Sequence, residues 1–133
     1  LRKTIVFVSH DLDEAMKIGN RIAIMEGGRI VQCGTPQEIL LQPADKYVAD
    51  FVAHMNPLGV LCAGDIMMPF DRTAAPRPFA ATARRETLIR DLMGAVADSS
   101  GDVGIVENGA IIGKIAADDI VRALAWHQQR GQH

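Results

Sequence analysis

Cysteine is scarce: Cys33 and Cys62 stand alone in 133 residues, with no CxxC and no Cys/His spacing around them. Two such thiols exclude a disulfide framework and make a reducing, cytosolic setting the default. No apolar run approaches the roughly 18 residues that a membrane span requires. Leu1-Arg2-Lys3 leads into an apolar run and does not read as a signal peptide. An excess of charge of one sign is also missing. Lys and Arg number 14 against 16 Asp and Glu, for a net charge of -2, and each half of the chain carries -1. That balance excludes the basic footprint of a nucleic-acid binder. What remains is a chain that is 48% hydrophobic, enough for the core of one ordinary domain or two very small ones.

The richest stretch runs from Thr4 to Leu40. Ile5-Val6-Phe7-Val8 is an unbroken apolar run, the pattern of a strand buried on both faces of a parallel α/β sheet. Ser9-His10 follows where that strand would end, and the carboxyl ends of such strands are where ligands bind. A buried strand so near Leu1 implies that its sheet neighbours lie upstream. Asp11 or Ser9 can cap a helix whose first turn holds Asp13 and Glu14, with Leu12, Ala15 and Met16 on one face and Gly19-Asn20 as the stop. Residues 21–26 and 29–33 read as two strands joined by Gly27-Gly28. Thr35-Pro36-Gln37-Glu38 combines an N-cap, a proline at the first helical position and a capping-box Glu. A further helix is expected from Ala44 to about Met55, burying Tyr47, Val48, Phe51, Val52 and Met55. Asn56-Pro57-Leu58-Gly59 then breaks the pattern.

IVFVSHDLDEAMKIGNRIAIMEGGRIVQCGTPQEIL, with PADKYVADFV behind it, closely resembles the C-terminal end of the ATP-binding subunit of ABC transporters. Within that family DLDEAMKIGNRI is most similar to the importers of quaternary amines such as glycine betaine, proline and choline. The resemblance covers about the first 56 residues. It implies that His10 is the switch histidine, which contacts the γ-phosphate of ATP and helps to position the attacking water. Phosphoryl transfer is mostly positioning and charge stabilisation, and an imidazole at a strand end suits both. It also implies ATP with Mg²⁺ as cofactor in the intact parent, a membrane permease and a second ATP-binding subunit as partners, and a cytoplasmic location on the inner face of the membrane. The chain carries no GxxxxGK[ST], no LSGGQ and no strand ending in Asp-Glu. ATP hydrolysis by this chain alone is therefore not expected, and neither is tight binding of a cofactor.

From Val60 the pattern restarts. Gly64 to Pro69 is a short apolar turn-helix segment, and residues 70–83 read mostly as loop with a strand around Phe79 to Thr82. A helix is expected from Arg85 to Ala97. Val103 to Val106 and Ala110 to Ala116 form a hairpin across Glu107-Asn108-Gly109, and a last helix runs from Ala117 or Asp118 to about Gln129, with Ile120, Val121 and Leu124 inward. This β-α-β-β-α order, with GDIMMP in front and VGIVENGAIIGKIAADDIVRAL behind, resembles a CBS domain, a module that pairs and can bind adenosine nucleotides. The resemblance places Asp119 at the ribose-binding aspartate, while Ala116 stands where a phosphate-binding hydroxyl would be; capping of the last helix is the plainer role for Asp118 and Asp119.

The fold expected is thus α/β (α+β): residues 1–56 as the C-terminal segment of an ABC nucleotide-binding domain, 57–63 as linker, 64–126 as a CBS-like regulatory domain and 127–133 as a polar tail. Arg72, Arg77, Arg84, Arg85 and Arg90 make a basic cluster that could meet anionic lipid or phosphate; a solvated loop without a partner is the simpler alternative. His10, His54, His127 and His133 are too scattered for a zinc motif, and no metal site is expected. An unpaired edge at Ile5 to Val8 would favour self-association. The competing hypothesis is a stand-alone CBS-type module that dimerises and senses adenine nucleotide or ionic strength.

Overall fold

The computed structural model describes residues 2–70, 79, 81–98 and 102–130. It has a mixed α/β fold that divides into two compact units, Leu1–Met55 and Asn56–His133. The positions of Arg72, Arg77 and His133, and part of the expected loop and strand over 70–83, lie outside the described residues.

The first unit contains helix α1 (Leu12–Ile18), strands β1 (Ile22–Glu26) and β2 (Arg29–Gly34), and helices α2 (Pro36–Leu41) and α3 (Lys46–Val52). Gly27 and Gly28 both have positive φ, +58° and +79°, as a two-residue turn matching the strand twist requires. The antiparallel pairing runs from Ile22 opposite Gly34 to Glu26 opposite Arg29, with a bulge between Ile24 and Met25. Thr35 caps α2 by accepting from the Glu38 amide at 3.2 Å, and Glu38 returns a carboxylate to the Thr35 amide at 3.0 Å. Ile39 and Leu40 of α2, Val48 and Val52 of α3, and Ile22 and Ile24 of β1 form the core. Gln32 of β2 donates to the Gln42 carbonyl and accepts from the Ala44 amide, which fastens the turn between α2 and α3.

Two expectations for this unit fail. Ile5, Val6, Phe7 and Val8 form no strand and are not buried; they are 82, 87, 57 and 84% exposed. A strand gains its burial from neighbours, and none of the described strands pairs with this segment. Val48 and Val52 of α3 and Met55 just beyond its end are buried, whereas Phe51 is exposed and stacks on half-buried Tyr47 at 5.9 Å. The aromatic pair lies on the adjacent i, i+4 ridge, at the rim of the core.

The second unit opens with a 3₁₀ turn at Pro57–Gly59, capped by Asn56, and continues through α4 (Ala63–Ile66), β3 (Met68–Pro69), β4 (Ala81–Arg84), α5 (Ile89–Asp98), β5 (Val103–Glu107), β6 (Ala110–Ile115) and α6 (Ala117–Arg130). Its sheet order is β3-β6-β5-β4, with β4 and β5 parallel and the other pairs antiparallel. Central β5 is sealed: Val103 and Ile105 are fully buried. Gly104 lies beneath the Phe79 ring, where a Cβ would come within 2.9 Å of the ring carbons. Asn108 and Gly109 supply the two positive φ angles of the β5–β6 turn.

Residues 57–63 are not a free linker. Pro57, Val60, Leu61 and Ala63 are buried in this unit, and the Leu61 carbonyl accepts from the Ile89 amide at 2.9 Å. That bond, together with a turn in which Thr87 Oγ1 accepts from the Arg84 amide, moves the start of α5 from Arg85 to Ile89. Val121 is exposed, not inward-facing, and His127 is buried, so the last turn of α6 belongs to the fold and not to a tail. Among the described residues no helix is long and apolar enough to cross a membrane.

Candidate functional site

His10 lies between the exposed Thr4–Val8 segment and the cap of α1, and it is itself exposed. Asp11 is the N-cap of α1; its Oδ1 accepts from the Glu14 amide at 3.2 Å. Ser9 Oγ accepts from the Asp11 amide at 3.0 Å and donates to Glu14 Oε2 at 3.1 Å. Asp13 and Glu14 in the first turn and Lys17 in the last complement the helix dipole. Buried Met16 anchors α1 to the first unit. The Ser9–Glu14 link was not read from the sequence, although the SHDxxE spacing carries the signal.

Asp119 belongs to the second unit and is 9% exposed. Its Oδ2 accepts from the Ala116 amide at 2.8 Å, and its Oδ1 faces Arg122 Nη2 at 3.2 Å. This is one half of a capping box: Asp119 reaches back from the third helical position, and the Ala116 methyl returns nothing. Both carboxylate oxygens are therefore engaged within α6 and its cap.

The three described arginines of the basic cluster are exposed. Arg85 pairs with Glu107 at 3.4 Å and Arg90 with Asp91 at 3.8 Å, so two of the three have a carboxylate beside them. Beside Arg84 an open groove of about 670 Å³ runs along Thr82, Glu86, Glu107 and Asn108, with charges of both signs. Among the described residues no group of three or more His, Cys, Asp or Glu could hold a metal ion. The first unit holds two exposed imidazoles, His10 and His54, and no phosphate-cradling GxxxxGK[ST] motif.

Comparison with known proteins decides the relationship. The chain is 55% identical over 65 residues to the glycine betaine transport ATP-binding protein OpuAA of Bacillus subtilis, and 57% identical over 65 residues to the glycine betaine/proline betaine transport system ATP-binding protein ProV of Escherichia coli. Each match covers 49% of this chain and 16% of the relative. The chain is a homologue of part of the ATP-binding subunits of betaine- and choline-type ABC importers. The matched part is their C-terminal region. A third relative, the trimethylamine N-oxide transport system ATP-binding protein TmoW of Ruegeria pomeroyi, is 36% identical over 115 residues, 86% of this chain and 33% of the relative. That match necessarily includes most of both units, so the second unit is shared with at least one importer subunit. No protein-family model matches the chain. The chain spans between about a sixth and a third of the length of these importer subunits.

Proposed function

We propose that this chain is the C-terminal region of an ATP-hydrolysing importer subunit for a betaine- or choline-type solute, and that His10 is its contact to the γ-phosphate of ATP. The observation that supports this reading most is the exposed imidazole next to the N-cap of α1, within a chain at least 55% identical to two glycine betaine ATP-binding proteins over 65 residues. An exposed imidazole with no bond to another described residue can meet a phosphate that other parts of the subunit bind. The phosphate cradle, the Mg²⁺ ligands and the permease contact belong to the rest of such a subunit. In that setting the protein works on the cytoplasmic face of the membrane.

In the same reading, Ile5–Val8 is a strand of the ATPase sheet. Its four side chains would each gain about 1.5–3 kcal/mol on burial between neighbouring strands. Left without those neighbours, the segment is an edge that a second copy can pair with, and self-association of the chain follows.

The second unit serves as a CBS-like regulatory domain. Its β4-α5-β5-β6-α6 order supports that reading. The engagement of Asp119 with Ala116 and Arg122 favours pairing over nucleotide binding as its task. Contact of Arg84 with anionic lipid is the weakest member of this set, because Glu86 and Glu107 stand along the same groove.

The test is a chimera in which the matched stretch of OpuAA is replaced by that of this chain. It should hydrolyse ATP, and His10→Ala should lower kcat by about 10²–10³, the scale seen when one preorganised donor is removed from a reacting charge. An active chimera that tolerates His10→Ala would refute the role of His10.

A further inference from the structure

His10 is flanked by unequal supports. Before it, Thr4–Val8 has no ladder partner among the described residues; after it, α1 is anchored by buried Met16. No hydrogen bond or ion pair to another described residue holds the imidazole itself. What spans the histidine is a relay of two bonds. Glu14, at the third helical position, is where a capping-box Glu turns back to the N-cap amide. Here it receives the Ser9 hydroxyl instead, at 3.1 Å, and Ser9 Oγ in turn accepts from the N-cap amide of Asp11 at 3.0 Å. The box is lengthened by one hydroxyl, and His10 lies inside the loop that it closes. The Asp11 carbonyl is a second acceptor for the same hydroxyl at 3.3 Å, but the carboxylate is nearer and charged, so it holds the proton more strongly.

We infer that Ser9, held by Glu14, is a positioning residue for His10: it couples the histidine backbone to the first turn of α1, so that the imidazole moves with the helix and not with the preceding segment. The functional weight of this inference rests on the reading of His10 as a phosphate contact, but the geometry does not. A hydroxyl is required because the relay needs an acceptor and a donor on one atom. Threonine keeps both, and alanine has neither.

The test uses ¹⁵N relaxation and amide exchange on the 133-residue chain. In the wild type, His10 should have the heteronuclear NOE of α1, and Asp11 should exchange slowly. Ser9→Ala should speed Asp11 exchange about fivefold, the loss of one ordinary hydrogen bond. It should also drop the His10 NOE to the level of Thr4–Val8 while Met16 to Ile18 stay protected. Ser9→Thr should restore both readouts, and Glu14→Ala should reproduce the Ser9→Ala result. The inference is overturned if wild-type His10 is as mobile as Thr4–Val8, or if Ser9→Ala leaves it unchanged. It is also overturned if Met16 to Ile18 lose protection together with His10, because the hydroxyl would then be a helix cap and nothing more. None of these readouts needs a nucleotide. The phosphate reading can fail in the chimera while the relay stands, and the relay can fail here while the phosphate reading stands.

Discussion

Val103-Gly104-Ile105-Val106 and Ile5-Val6-Phe7-Val8 have similar apolar character and opposite fates. The first forms the centre of a four-stranded sheet, with β4 on one side and β6 on the other, and its Val103 and Ile105 are fully buried. The second lies open, with every residue more than half exposed. Local sequence cannot separate the two, because burial of a strand is a property of its neighbours as much as of its side chains. The contrast also separates two meanings of similarity. Identity to importer subunits records what the whole subunit needs, whereas compactness records what this chain can satisfy by itself.

The sharpest way to break this contrast is to remove the same kind of side chain from each segment. Ile105→Ala should cost about 2–5 kcal/mol, since it leaves a cavity in a closed core. Ile5→Ala should stay within about 0.5 kcal/mol, as expected of a surface position. Trp126, the only tryptophan, lies in the second unit, so its fluorescence during urea unfolding reads the Ile105 variant directly. Far-UV circular dichroism follows the Ile5 variant. A loss of several kcal/mol for Ile5→Ala would mean that the segment is packed after all.

A smaller effect is expected from a local device in the first unit. Thr35→Ala removes the side chain that caps α2 and should cost about 1 kcal/mol. Thr35→Ser should recover most of it, as thermal unfolding followed by circular dichroism would show. A neutral Thr35→Ala would mean that α2 is held by its buried Ile39 and Leu40 alone.

These comparisons mirror what could be read from the sequence. The Thr35–Glu38 box, the Gly27-Gly28 turn and the Asn108-Gly109 turn were all legible, because each is decided by residues within three or four positions of one another. The β-α-β-β-α order of the second unit was legible for the same reason, as a succession of local periods. Features set by distant groups were not. The start of α5 depends on the Leu61 carbonyl, the burial of His127 on the packing of its helix, and the exposure of Phe51 and Val121 on which ridge of a helix meets the core. At the candidate site the SHD context singled out His10 and the capping residues beside it, but the Ser9–Glu14 relay needs coordinates. The exposure of Ile5–Val8 was not legible because an unbroken apolar run reads as a strand buried on both faces, and that burial presumes a sheet beside it.

The smallest expected effect concerns Asp65 in the second unit. Partial burial pushes its carboxyl above the usual aspartate range, against the Cys62 amide hydrogen bond and the nearby Arg85, which both favour the charged form. A folded pKa raised above the unfolded value gives stability that is complete below the unfolded pKa and is lost as pH rises through the folded pKa. Acidification through that window should therefore raise the Trp126 unfolding midpoint slightly relative to an Asp65→Asn variant, whose amide oxygen can still accept from Cys62. An opposite slope would show that the hydrogen bond and Arg85 outweigh burial.

The central claim is that Ile5–Val8 is a strand whose partners are supplied by the rest of an importer subunit, and amide hydrogen exchange tests it most directly. In the 133-residue chain at high dilution, the amides of Ile5 to Val8 should exchange at nearly the rate of an unfolded peptide. In the OpuAA chimera they should be among the most protected in the protein. Strong protection in the dilute chain alone, or free exchange in an active chimera, would contradict the account.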